Sequence, residues 1–151
     1  QAYNLFPVLT VVENTEYVLM LQGVGADERR ERVTRILERV GLSGKENRFP
    51  RELSGGQQQR VAIARAIVTE PSLILADEPT ANVDSNTAQS LLDLMEELNQ
   101  EKNITFVFSS HDHAVMQRSR EMILLKDGSI AARGSYDEIQ GQVCGGKADL
   151  Q

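Results

Sequence analysis

Two short apolar runs in this sequence end in residues able to do chemistry. Leu73-Ile74-Leu75-Ala76 runs straight into Asp77-Glu78, and Ile104-Thr105-Phe106-Val107-Phe108 is followed by Ser109-Ser110-His111-Asp112. Adjacent carboxylates after a strand point to opposite sides, so Asp77 and Glu78 suit different jobs. One can hold Mg²⁺, directly or through water, because that ion keeps several waters and takes one or two carboxylates plus phosphate oxygens. The other can orient or deprotonate a water. An isolated Asp-Glu is more often two solvated acids opening a loop, and the pair alone does not carry the functional reading. His111 is open to the same division between a functional group and a satisfied surface group. Asp112 and His113 beside it hint at a metal, but two histidines and no cysteine pair argue against zinc.

A third stretch carries a different chemistry. In Leu53-Ser54-Gly55-Gly56-Gln57, Ser54 is a good N-cap and Gln57 stands at the capping-box spacing. Gly55 and Gly56 carry no side chain, so the backbone N–H groups of the helix start can be approached closely. A helix start with free N–H groups and a positive dipole end is an anion site. A capped surface helix with flexible glycines satisfies the same pattern.

These residues need elements to position them. Thr10 and Glu13 form a second capping box, which predicts a helix from about Val11 that carries Val18 to Leu21 and stops at Gly23. The segment from Gly23 to Ala26 reads as a connector, and Asp27 as the cap of a charged helix. There Val33, Ile36, Leu37 and Val40 make one apolar stripe, ended by Gly41. Residues 42–52 read as a polar loop with Pro50 as a breaker. The helix from Gly55 is expected to reach about Thr69, with Pro71 at its exit. The two apolar runs read as buried strands. A helix over roughly residues 86–100, with Leu91, Leu94, Met95 and Leu98 on one face, joins them as a parallel pair with a right-handed crossover. Asp127-Gly128 between two apolar segments predicts a hairpin. A short helix is expected over Tyr136 to Gln140, with a frayed Gly-rich tail after it.

The bulk composition is compatible with this. The 151 residues suffice for one domain with a core, and the net charge of −6 disfavours a generic nucleic-acid binder. The single cysteine, Cys144, rules out an intrachain disulfide, which fits a reducing compartment. No apolar run approaches the ~20 residues needed to span a bilayer.

Taken together the motifs resemble those of the ATP-binding-cassette (ABC) ATPases. Leu53 to Gln57 is similar to the family's signature motif, and Leu73 to Thr80 to its Walker B strand with the glutamate that follows. Ala81-Asn82-Val83-Asp84 is similar to the D-loop, His111 to the switch histidine, and Gln1 to the start of the Q-loop. The order and spacing fit across essentially the whole chain. The surroundings of Phe6 to Asn14 and of Phe106 to Asp112 are most similar to the lipoprotein-releasing and macrolide-exporter group.

The resemblance implies an α/β fold of the P-loop NTPase type, a parallel sheet flanked by helices with a helical signature subdomain. It implies a Q-loop and coupling segment over 1–9, a helical subdomain over 10–70, and the C-terminal part of the ATPase core over 71–151. The cofactors it implies are ATP and Mg²⁺. Two cassettes would sandwich two ATP molecules head to tail, with Ser54, Gly55, Gly56 and Gln57 facing the nucleotide of the other chain. Asp77 would hold Mg²⁺ through water, Glu78 would polarise the attacking water, and His111 would touch the γ-phosphate and link it to Asp84 of the neighbouring D-loop. Gln1 would reach the Mg²⁺ or the water. Implied partners are a second ATPase subunit and membrane permease subunits, docked by the apolar loop Tyr3 to Val12, with no nucleic acid. That loop packing on its own core is the alternative. The implied location is peripheral, at the cytoplasmic face of the inner or plasma membrane.

The sequence departs from the family pattern in one major respect. It has no Gly-x-x-x-x-Gly-Lys-Ser/Thr, so the phosphate-cradling loop is missing. In the family that loop precedes the Q-loop, where this sequence starts, and the N-terminal β-subdomain with its adenine-stacking aromatic is missing too. The expectation is a C-terminal part of a longer cassette, inactive alone. Competing expectations are a DNA-repair or translation-associated cassette and a non-catalytic fragment supplying only the signature half-site. The short distance from Gln1 to Leu53, with no heptad array, argues against the DNA-repair type.

Overall fold

A computed structural model of the chain describes residues 3–81 and 83–145. Gln1, Asn82 and the tail from 146, sites of three expectations above, lie outside them. The chain divides into two compact units, Gln1–Ser109 and Ser110–Gln151.

The first unit begins with the helices expected from their caps. Helix α1 spans Val11–Leu21, and the Thr10 side chain accepts from the Glu13 N–H while the Glu13 carboxylate accepts from the Thr10 N–H. It ends in a Schellman turn, in which the Gly23 N–H donates to the Met20 carbonyl and the Val24 N–H to that of Leu19. Gly23 sits at φ +76°, a conformation that costs glycine little. Helix α2 spans Ala26–Arg39. Its N-cap is Gly25, with no side-chain capping bond. Asp27 lies inside the first turn instead, where its charge still opposes the dipole. Its stripe of Val33, Ile36, Leu37 and Val40 is buried as expected. Residues Pro50–Glu52 form a short 3₁₀ turn, so Pro50 opens an element where a breaker was expected, as its fixed φ permits. Helix α3 spans Gly55–Ile67, and helix α4 spans Ser85–Lys102 with Asp84 as its N-cap.

Strands β1 (Leu73–Asp77) and β2 (Thr105–Ser109) pair in parallel, with Leu73 opposite Thr105 and Asp77 opposite Ser109. The expectation that both are buried is corrected here. Their side chains alternate, so Ile74, Phe106 and Phe108 pack against the core while Leu73, Leu75 and Val107 stand exposed, Leu75 by 75%. Continuous apolar runs are what two-sided burial needs, yet among the described residues of this unit nothing covers the second face. An apolar groove of about 140 Å³ follows β1, lined by Ala62, Ala66, Ile74 and Met95. The core of the unit joins α1, α2, α3 and α4 through Leu19, Leu37, Val61, Ile67, Leu91 and Leu98.

Asn14 ties the segment before α1 to this core. It is fully buried. Its side chain accepts from the Phe6 N–H at 2.8 Å and donates to the carbonyls of Phe6, Leu9 and Thr10 at 2.9–3.1 Å. The side chains it holds stay outward, with Val8 77% exposed and Phe6 against Tyr17. Leucine at position 14 keeps the branched shape but removes the bonds to the Phe6 N–H and the Leu9 carbonyl, while the carbonyls of Phe6 and Thr10 keep the N–H groups of Leu9 and Asn14. Each unsatisfied buried group costs about 1–3 kcal/mol, so Asn14→Leu is expected to lower stability by about 2 kcal/mol in urea unfolding. A change below about 0.5 kcal/mol, the scale of an inert surface substitution, contradicts this role.

The second unit holds helix α5 (His113–Arg118), the antiparallel hairpin β3 (Met122–Lys126) and β4 (Ser129–Gly134), and helix α6 (Tyr136–Gly145). The hairpin turn is the expected Asp127-Gly128, both residues at positive φ, as a two-residue primed turn requires. Helix α5 was not foreseen. Helix α6 continues five residues past Gln140, through a segment expected to be frayed. A capping box of Ser135 and Glu138 starts it.

Candidate functional site

The sequence-predicted residues fall in both units. Ser54, Gly55, Gly56, Gln57, Asp77, Glu78 and Asp84 belong to the first, His111 to the second, and Gln1 lies outside the described residues.

Ser54 and Gln57 make the reciprocal capping box at the start of α3. The Ser54 hydroxyl accepts from the Gln57 N–H at 3.3 Å, and the Gln57 side chain accepts from the Ser54 N–H at 3.1 Å. Ser54 and Gly55 are exposed. The first turn of α3 lies against the first turn of α4. A Cβ on Gly56 would stand 2.9 Å from the Thr87 methyl carbon. Thr87 cannot simply turn away. It is β-branched, and its hydroxyl donates to Asp84 at 2.6 Å while its N–H donates at 3.0 Å. The hydroxyl bond first, and the backbone bond next, hold the Asp84 carboxyl below its usual pKa. Gly56→Ala is therefore expected to destabilise the protein by about 1–3 kcal/mol, an overpacking cost. Thr87→Ser removes the methyl and keeps the hydroxyl, so the double variant should recover most of the loss. Strict additivity in denaturant melts contradicts the contact.

Asp77 closes β1 with its side chain exposed, beside Ser109. Glu78 follows at φ +46°, left-handed for a residue with a side chain. Its N–H donates to the Ser109 carbonyl at 2.8 Å, and its own carbonyl accepts from the Ala81 N–H at 3.1 Å. Both carboxylates thus emerge beyond the carboxyl ends of a parallel strand pair, where open α/β sheets collect ligands. An exposed carboxylate there is the hard oxygen donor that Mg²⁺ takes, and that ion needs only one or two from the protein. Among the described residues, no three Asp, Glu, His or Cys side chains converge on a possible metal position.

Three side chains of α3 grip carbonyl groups elsewhere in the unit. Gln59 donates to Pro79 at 2.6 Å, Arg60 to Val40 at 2.9 Å, and Arg65 to Asn4 and Tyr3 at 2.8 and 3.2 Å. Partial burial holds the Arg65 guanidinium below its usual pKa. None of the three was singled out from sequence, because partners up to 62 positions apart leave no local signal.

In the second unit, the Ser110 hydroxyl accepts from the Asp112 N–H at 3.1 Å, and Asp112 accepts from the Ala114 N–H at 2.9 Å as the cap of α5. His111 sits inside this double turn. His113 Nδ1 lies 3.0 Å from the Tyr136 hydroxyl. Asp112 and His113, which had hinted at a metal, thus have structural partners.

Comparison with known proteins decides the family. Residues 1–81 match the family described as ABC transporter. The chain belongs to the ABC transporter family. The ABC transporter ATP-binding protein YtrE of Bacillus subtilis (strain 168) is 48% identical over 128 residues, 85% of this chain and 55% of that protein. The lipoprotein-releasing system ATP-binding protein LolD of Legionella pneumophila (strain Lens) is 43% identical over 133 residues, 88% of this chain and 59% of its own length. The dimeric post-hydrolysis structure of the ATP-binding cassette MJ0796, bound to ADP and Pi, superposes with a TM-score of 0.81 at 41% identity, covering 89% of this chain and 60% of that one. The fold is accordingly that of the ABC ATPase cassettes, an α/β fold of the P-loop NTPase type. This chain spans somewhat more than half the length of the relatives it matches. No helix among its described residues is long and apolar enough to cross a membrane.

Proposed function

We propose that these residues form part of the ATP-hydrolysing subunit of an ABC transporter, powering transport through membrane permease subunits. One observation carries the reading. A single packed unit presents a capped, glycine-faced helix start and, at the end of β1, a paired Asp77 and Glu78. The first is built to receive a phosphate, the second to manage a metal and a water.

On this reading two chains close head to tail over two ATP molecules. Ser54, Gly55, Gly56 and Gln57 of one chain meet the γ-phosphate held by the other, and Ser54 gives up its capping bond to do so. Asp77 holds Mg²⁺ through water. The ion, when bound, neutralises charge on the phosphate oxygens. Glu78 orients the attacking water and takes its proton, while Asp84 caps α4 beside the interface. The roles proposed for His111 and Gln1 are contact with the γ-phosphate for His111 and with the metal or the water for Gln1. Residues 1–9 serve as Q-loop and coupling segment, 10–70 as the helical subdomain and 71–151 as part of the ATPase core. The exposed Phe6 and Val8 support docking of the coupling segment on a permease, at the cytoplasmic face of the membrane. The relationship to LolD supports placement near the lipoprotein-releasing group.

Subunit mixing of the full-length protein tests the composite site. Gly55→Asp adds a negative charge where the partner's phosphate would arrive, and an acid in the first helical turn does not disturb α3 itself. Glu78→Gln removes the base. Each variant alone should be inactive with Mg·ATP, and their mixture should regain activity, because a mixed dimer holds one intact site. A mixture as inactive as its parents overturns the head-to-tail reading.

A further inference from the structure

We propose that Gln59 is a positioning residue for Glu78, so that the helix facing the partner's nucleotide also sets the base serving the chain's own. The inference rests on the role given to Glu78 above.

The turn after β1 is unusual. Glu78 precedes Pro79, which restricts its backbone, and it is held at φ +46°. A left-handed residue with a side chain is strained and persists only where its surroundings over-determine it. Three hydrogen bonds do so here. One is local to the turn, Ala81 N–H to the Glu78 carbonyl at 3.1 Å, and one ties it to the end of β2, Glu78 N–H to the Ser109 carbonyl at 2.8 Å. The third comes from α3, from Gln59 Nε2 to the Pro79 carbonyl at 2.6 Å. Pro79 is itself buried, so its carbonyl has little access to a substitute donor from water.

Gln59 lies one turn along α3 from Gly56, whose backbone abuts Thr87. A displacement of the α3 start by a phosphate therefore has two routes into the Glu78–Asp84 segment, at Pro79 and at Thr87. The Gly56 contact is steric and resists approach only. The Gln59 bond also resists separation, so it is the one able to pull the turn along with the helix.

The test uses two variants of the full-length protein. Gln59→Met keeps the length of the side chain and removes the donor. Gln59→Lys restores a donor on a flexible stem. Hydrogen exchange of the peptide covering Asp77 to Ala81 reads the turn directly and needs no catalysis. The methionine variant should exchange faster there by roughly tenfold, a local opening, with the lysine variant close to wild type. In Mg·ATP hydrolysis the methionine variant should lose roughly tenfold in kcat with KM nearly unchanged, as for a misplaced catalytic group, and lysine should restore most of it. Exchange unchanged in the methionine variant, or equal changes in both variants, overturns the inference. If the wild-type protein shows no hydrolysis at all, the reading of Glu78 as a base fails, and exchange still decides whether Gln59 holds the turn.

Discussion

Replacing Glu78 by glutamine in the full-length protein is expected to abolish hydrolysis while leaving Mg·ATP-driven dimerisation intact. Glutamine has the size of glutamate and keeps an oxygen for a water to donate to, but its amide takes no proton. Loss of a general base lowers turnover by about 10²–10⁴-fold. The backbone bonds that hold residue 78 in its turn do not involve the side chain, so the fold should survive. Removing a carboxylate from beside a polyphosphate also removes a repulsion, so the ATP-bound dimer should last longer than in the wild type. Hydrolysis and light scattering on the same samples separate these effects. Asp77→Asn gives the contrast, since a lost metal contact weakens nucleotide binding itself. A fully active Glu78→Gln protein would remove Glu78 from the role of base.

The second large effect concerns the 151 residues by themselves. They include no Gly-x-x-x-x-Gly-Lys-Ser/Thr, so the backbone cradle and lysine that hold β- and γ-phosphates have to come from elsewhere in a working cassette. The isolated 151-residue chain is expected to bind Mg·ATP weakly and to show no turnover. Rates of order 1–10² s⁻¹, ordinary for an enzyme, would show that the residues described here suffice. The same chain leaves Leu73, Leu75 and Val107 exposed on a two-stranded sheet. Such a face with an open edge invites pairing with other chains, so low turnover has to be measured on protein shown to be monodisperse.

What sequence could reveal divides along a physical line. The starts of α1 and α3 were legible because a capping box is a four-residue matter, and Thr10 with Glu13 and Ser54 with Gln57 carry it complete. The hairpin at Asp127-Gly128 was legible for the same reason. The start of α6 at Tyr136 was legible too, behind a third capping box of Ser135 and Glu138, whereas α5 was missed although Asp112 is a good N-cap. The burial of β1 and β2 was misjudged on different grounds. Four consecutive apolar residues say that two faces are suited to burial, not that two covers are present. The grip of α3 on Pro79, Val40, Tyr3 and Asn4 could not be read at all, because a backbone carbonyl has no letter in a sequence.

That last property has a consequence for how this chain tolerates substitution. A donor that bonds a side chain binds two positions to each other, and a change at either breaks the pair. Gln59, Arg60 and Arg65 bond backbone oxygens instead, and every residue type supplies one. The bond itself sets no demand on the identity of the residue held, whereas it does on the helix position that donates. Any restriction on Val40, buried in the core, or on Pro79, buried beside Glu78, therefore comes from packing and backbone conformation and not from the grip.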